Sequence, residues 1–227
     1  MTPATLLIKA AMRSADVGHL AEQIQRLEAG GIDALHFDVM DGRFAPEICM
    51  GPSFIRGLRA STRLPFEVHL MVAEPEGCVG QYVDAGADTL LIHVEASRDP
   101  ASILGRLRAL KRQAGLALAP ATPASAVAPF VELCDVINVM TVAPGQPGTL
   151  QDGGVRNLTE LAAQARRLGR APLVQADGAV SATTRQQLVE AGADALVAGY
   201  PIFSQPEFGT PIAELRRGSR HPIGVTG

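Results

Sequence analysis

The sequence has little cysteine: three residues in 227, Cys49, Cys78 and Cys134, with no C-x-x-C among them. An odd number without paired spacing supplies neither a disulfide framework nor a cysteine metal site, so buried free thiols are expected. Charge of one sign is also lacking. Lys and Arg total 20 against 23 Asp and Glu, a net charge of −3, which is too small and of the wrong sign to hold nucleic acid or an anionic membrane. No apolar run approaches the roughly 18 residues of a membrane helix. Residues 1–9 carry too short an apolar run, with no basic flank before it, for a secretory signal. A cytoplasmic protein that binds neither membrane nor nucleic acid is therefore expected. What is present is ample apolar material, 47% hydrophobic against 19% charged residues, enough for a buried core and far from the disordered class. At roughly 100 to 200 residues per domain, one domain over residues 1–227 is the default.

A junction recurs along the chain. It reads Glu28-Ala29-Gly30-Gly31-Ile32-Asp33-Ala34-Leu35, then Asp84-Ala85-Gly86-Ala87-Asp88-Thr89-Leu90, then Glu190-Ala191-Gly192-Ala193-Asp194-Ala195-Leu196. Each has the pattern of a helix closed by a left-handed glycine and followed by a strand. Amphipathic stretches at residues 20–27, 104–110, 158–168 and 183–189 have apolar residues three and four apart and predict helices. Short apolar runs alternate with them at 5–8, 34–39, 66–70, 89–94, 115–119, 136–139, 173–176 and 195–198, giving eight strands. Strands alternating with helices pair in parallel through right-handed crossovers, and eight such units predict a single (β/α)8 TIM barrel. An open doubly wound sheet is the alternative, but the G-x-G-x-x-G that usually follows its first strand is missing. The Ala- and Pro-rich residues 119–129 fall where a strand-to-helix loop belongs, and residues 216–227 read as a solvated tail.

In such a barrel the chemistry sits at the carboxyl ends of the strands. His36 and Asp38, two apart and hence on one face, close the second strand; His69 closes the third and Asp177 the seventh. Two imidazoles and two carboxylates make a nitrogen and oxygen set suited to one divalent metal ion, zinc first, with manganese, iron or cobalt as alternatives. Any one of these residues alone reads as a core residue satisfied by hydrogen bonds; four at strand ends point to a centre. His93 and Glu95, closing the fourth strand, either orient a metal ligand from behind or form a simple core hydrogen bond. His19 reads as a helix-surface residue.

His36-Phe37-Asp38-Val39-Met40-Asp41-Gly42, Val68-His69-Leu70-Met71 and Asp177-Gly178 closely resemble the ribulose-phosphate 3-epimerase family, and the likeness runs from Ser14-Ala15-Asp16 to Phe203. The resemblance implies a ribulose-phosphate-binding barrel, an isomerase acting on a small-molecule ketose phosphate, and a homo-oligomer. It implies that His36, Asp38, His69 and Asp177 hold the metal and that Asp38 and Asp177 are also the acid and base. Inverting a carbon next to a ketone needs two proton carriers on opposite faces and stabilisation of the enediolate between them, so the chemistry agrees. Met40, Met71 and Met140 resemble the methionines that cap the planar intermediate, with ordinary core filling as the alternative.

The sequence also departs from the family. Ala10-Ala11 stands where a Pro-Ser pair is typical, and Lys9 where a small residue is usual. Lys9 either reaches up to a substrate oxygen or a carboxylate of the site, or the strand lies elsewhere and Lys9 is exposed. The loop Ala143-Pro144-Gly145-Gln146-Pro147-Gly148-Thr149 replaces a glycine-rich phosphate loop, Gly178-Ala179 a Gly-Gly, and Gly199-Tyr200 a Gly-Ser. A phosphate is expected on the backbone N–H groups of Gly148, Gly178, Ala179 and Gly199, with Gly145 in the same loop and Tyr200 adding its hydroxyl or filling the space. These changes keep two alternatives in view: the same chemistry on a different ketose, phosphorylated or not, and a non-catalytic sugar-binding barrel.

Overall fold

In the computed structural model, which describes residues 5–217, eight parallel strands close into a barrel. They are β1 (Leu7–Ala11), β2 (Ala34–Asp41), β4 (Phe66–Met71), β5 (Thr89–His93), β6 (Gln113–Leu118), β7 (Val136–Met140), β8 (Leu173–Asp177) and β9 (Ala195–Ala198). Closure is explicit, since β1 pairs in parallel with both β2 and β9. A ninth strand, β3 (Ile48–Cys49), lies antiparallel on the end of β2, with Met40 opposite Cys49. The helices are α1 (Leu20–Ala29), α2 (Pro52–Leu58), α3 (Val79–Asp84), α4 (Pro100–Ala109), α5 (Asp152–Ala165), α6 (Arg185–Glu190), α7 (Tyr200–Phe203) and α8 (Gly209–Arg216).

The recurrent junctions behave as their glycines require. Gly86 and Gly192 take φ +102 and +109, a region that costs a side-chain-bearing residue about 1–2 kcal/mol. At Gly192 a Cβ would also come within 2.6 Å of the Ala162 Cβ on α5. In the first junction it is Gly31, not Gly30, that adopts positive φ. Between β6 and β7 the crossover is a 3-10 segment, Ala128–Leu133, rather than an α-helix. Pro120, Pro123 and Pro129 deny the amide hydrogens an α-helix needs.

Period-two alternation sorts the strands into two layers. Leu35, Phe37, Val39, Phe66, Val68, Leu70, Ile137, Val139, Val174 and Ala176 belong to the large apolar core packed under the helices. The alternate positions face the lumen, and many of the residues there are polar: Lys9, His36, Glu67, His69, Asn138 and Gln175 are all buried. Barrel interiors are ordinarily dominated by Val, Ile and Leu; this one is not.

Three expectations are corrected. The first strand starts at Leu7 rather than residue 5, so Lys9 sits mid-strand and is 6% exposed. Arg216 is not tail: it ends α8 and donates to the Gly31 carbonyl at 2.9 Å and to Asp33. The rest of that segment, 218–227, lies outside the described residues. Of the cysteines only Cys134 is buried, Cys49 and Cys78 being half-buried. Among the described residues no helix is long and apolar enough to cross a membrane.

Candidate metal and acid-base centre

Parallel register brings the four expected residues together. Asp38 on β2 stands opposite His69 on β4, and Asp177 on β8 opposite Met140 on β7. His36 Nε2 lies 3.3 Å from Asp38 Oδ1 and 3.5 Å from Asp177 Oδ2. His69 Nδ1 lies 3.2 and 3.4 Å from the same two oxygens. One donor atom from each residue falls within 4.8 Å of all the others, and all four residues are buried.

Each imidazole turns one nitrogen into the cluster and ties the other outward. His36 Nδ1 donates to Glu67 Oε1 at 2.8 Å. His69 Nε2 meets His93 Nε2 at 3.0 Å, His93 Nδ1 meets Glu95 Oε2 at 2.9 Å, and Glu95 Oε1 accepts from the Ala119 amide at 2.7 Å. A histidine oriented in this way by a second hydrogen bond is the usual partner of a metal. The charges agree: three buried carboxylates (Asp38, Glu67, Asp177) face one ammonium (Lys9), an excess that a divalent cation would cancel. The donor set therefore fits a metal ion.

The same crowding shows in the acid-base properties. Burial alone would lower His36, but the charges of Asp38 and Asp177 hold it well above its ordinary value. Burial would raise Asp38, yet His36 and then His69 pull it below the carboxylate range. Glu95 is held down at about 2, burial being outweighed by His93 and the Ala119 amide, while burial lowers His93.

Above the cluster opens a cavity of about 290 Å³ with Asp38 and Asp177 in its wall. Met71 and Met140 line it, as do Gly145, Gly148, Gly178, Ala179, Gly199 and Tyr200. Met40 does not: it packs with Met71 and Met140 around Ala45, its sulfur beneath Gly145. Tyr200 is 79% exposed, so its ring stands at the rim and does not fill the space. Gly178 takes φ +96 and Ala179 φ +48, turning the chain sharply against Val142.

Several residues around the centre are not among those expected from the sequence. Lys9 reaches neither cavity nor acid-base carboxylate; its ion partner is Glu67. Asn138 Nδ2 donates to Asp177 Oδ2 at 2.9 Å, and Gln175 Nε2 donates to both Glu67 Oε1 and Asn138 Oδ1 at 2.8 Å. The signal was available, because Glu67, Asn138 and Gln175 each lie two residues before a strand-end residue already singled out. Arg13 and Ser14 also line the cavity. Arg13 is held by Glu47 Oε2 through Nε at 3.1 Å and Nη2 at 2.7 Å.

Residues 7–203 match the model of the ribulose-phosphate 3-epimerase family. The chain belongs to that family. It is 34% identical over 223 residues to the chloroplastic ribulose-5-phosphate-3-epimerase of Arabidopsis thaliana, covering 97% of this chain and 79% of that protein. It is 35% identical over 224 residues to the ribulose-phosphate 3-epimerase of Synechocystis sp., covering 95% of each. The crystal structure of 3-keto-L-gulonate-6-phosphate decarboxylase from Vibrio cholerae superposes with a TM-score of 0.70 at 12% identity, over 93% of this chain and 96% of that one. That likeness shows a shared barrel fold. As a family member the chain is an isomerase-class epimerase, and the non-catalytic barrel is set aside.

Proposed function

We propose that this family member inverts the carbon next to the ketone of a ketose phosphate, interconverting ribulose 5-phosphate and xylulose 5-phosphate. The observation that carries the reading is the presence of Asp38 and Asp177 in the wall of one cavity, each with a single oxygen committed to the same two imidazoles. His36, Asp38, His69 and Asp177 would hold one divalent ion, zinc first, and such an ion supplies a Lewis acid that draws charge onto the ketone oxygen.

Asp38 and Asp177 each keep a second oxygen for the substrate. One takes the proton from the carbon; the other, protonated, delivers a proton to the opposite face, and the reverse reaction exchanges their roles. Met71 and Met140 cover the planar enediolate with polarisable, apolar surface that excludes water while it lives. The phosphate lies against the backbone of Gly148, Gly178, Ala179 and Gly199 at the cavity rim, where N–H groups can serve without a cationic side chain. Arg13 is the one cation lining the cavity among the described residues. A homo-oligomer belongs to the same reading, and sedimentation velocity tests it.

A second reading keeps the chemistry and changes the ketose. Ala11 and Tyr200 in the cavity wall favour it, since they stand where a serine is typical and so alter the surface presented to the substrate. Deuterium incorporation at C3 of ribulose 5-phosphate in heavy water, followed by NMR on metal-loaded protein, tests the first reading. Brisk exchange supports it; loaded protein that exchanges only another ketose moves the assignment to that sugar.

A further inference from the structure

Beneath the centre, sealed from the cavity, lies a chain of hydrogen bonds that begins at Lys9. All three hydrogens of an ammonium donate and it has no acceptor, whereas a carboxylate only accepts. Lys9 Nζ donates to Glu67 Oε2 as an ion pair and to Gln175 Oε1 at 2.5 Å. With its oxygen taken by the ammonium, Gln175 must turn Nε2 away, and it donates to Glu67 Oε1 and Asn138 Oδ1, both at 2.8 Å. Asn138, its oxygen thus occupied, must turn Nδ2 to Asp177 Oδ2, 2.9 Å away. On the other arm, Glu67 Oε1 receives His36 Nδ1 at 2.8 Å, which leaves Nε2 facing Asp38 and Asp177. Lys9, Glu67, Gln175, Asn138 and His36 are buried.

Stability alone does not account for this arrangement. Replacing a buried ion pair by apolar side chains of similar volume is often neutral or stabilising, and lumen positions elsewhere are filled by Leu91 and Ala117. What an apolar filling cannot do is impose a direction on two amides and a carboxylate.

We propose that Lys9 is a positioning residue of the reaction: it fixes the hydrogen-bond direction of the Gln175–Asn138 arm and the Glu67 arm, and so presents Asp177 and His36 to the metal and substrate. It does not line the cavity. Its loss therefore acts on metal affinity and kcat and leaves KM alone. This rests on His36, Asp38, His69 and Asp177 being the ligands.

The test is a cycle of three variants, Lys9→Met, Glu67→Gln and the double, with thermal unfolding, titration of the apoprotein with cobalt(II) followed by its visible spectrum, and kcat and KM for ribulose 5-phosphate. Lys9→Met strands a buried carboxylate and lowers Tm; the double removes both charges and recovers it. Positioning predicts that the double still binds cobalt about 10- to 100-fold more weakly than wild type. It also predicts binding about tenfold weaker than in Glu67→Gln alone, where Lys9 still orients Gln175, with an altered cobalt spectrum, depressed kcat and unchanged KM. A double that regains wild-type affinity and kcat, or that merely equals Glu67→Gln, reduces Lys9 to a counter-ion and overturns the proposal. Wild-type protein that takes up no cobalt overturns the assignment of the ligands as well.

Discussion

Asp177→Asn changes one oxygen to an amide with almost no change of volume, which makes it the sharpest probe of the two-carboxylate mechanism. The fold should barely notice. Asn138 now donates to a neutral carbonyl rather than a carboxylate, a difference of about 1 kcal/mol between charged and neutral acceptors. At about 2–4 °C per kcal/mol for a chain of this size, Tm falls by only a few degrees. Activity should not survive so well. The variant loses a proton carrier, a loss of about 10²- to 10⁴-fold, and the amide is a poorer metal ligand. A fall in kcat of about 10³, or roughly 4 kcal/mol of transition-state stabilisation, is expected. The assay is deuterium exchange at C3 of ribulose 5-phosphate, run at saturating zinc with metal content measured on the same sample. Exchange within tenfold of wild type in fully loaded Asp177→Asn would remove Asp177 from proton transfer and refute the reasoning.

Arg13→Met should raise KM for a phosphorylated ketose about tenfold with little change in kcat, because Arg13 lines the cavity and is bonded to Glu47 rather than to Asp38 or Asp177; steady-state kinetics decide it. Glu95 is held at about 2 against an ordinary 4.5, so its contribution to stability is complete above about pH 4.5 and vanishes as pH falls towards 2. Wild type and Glu95→Gln should differ by about 2 kcal/mol in unfolding free energy at pH 6, after allowance for partial solvent screening, and converge near pH 2; parallel profiles would contradict this. Gly178→Ala places a Cβ 2.4 Å from Val142 Cγ2 at a φ of +96, which should cost about 2 kcal/mol and show in denaturant melts. Zinc at a hundred times its Kd should stabilise the native chain by about 2.7 kcal/mol and chelation should reverse the gain, measured as Tm.

The barrel and the four clustered residues were legible in the sequence because both follow from local rules. Strand ends two residues apart on one face, such as His36 and Asp38, need no tertiary information to be read as a pair. The support beneath them was legible only in part, because Lys9 stands out as a departure and Glu67, Asn138 and Gln175 share a face with strand-end residues, but nothing local says that they bond to one another. Gln175 within an apolar run reads as a strand residue of no special interest, and Lys9 could be placed only once the first strand was known to run from Leu7 to Ala11. Lys9 and Gln175 are 166 positions apart, and β1 and β9 must pair before they can meet. Met40 was misplaced for a related reason: alternation aims it at the lumen, but the Gly145 loop lies over it and keeps it from the cavity.

The polar lumen also bears on how the chain is made. An apolar barrel interior can collapse as soon as neighbouring strands appear, but Lys9, Glu67 and Gln175 have no reason to leave water until all three are present. Lys9 waits through most of synthesis for the strand that carries Gln175, and the sheet cannot close before β9 docks on β1. The growing chain thus keeps a hydrated seam instead of a sticky one. Dehydration of that seam is expected as a late step, completed only when β1, β4, β8 and β9 are all in place.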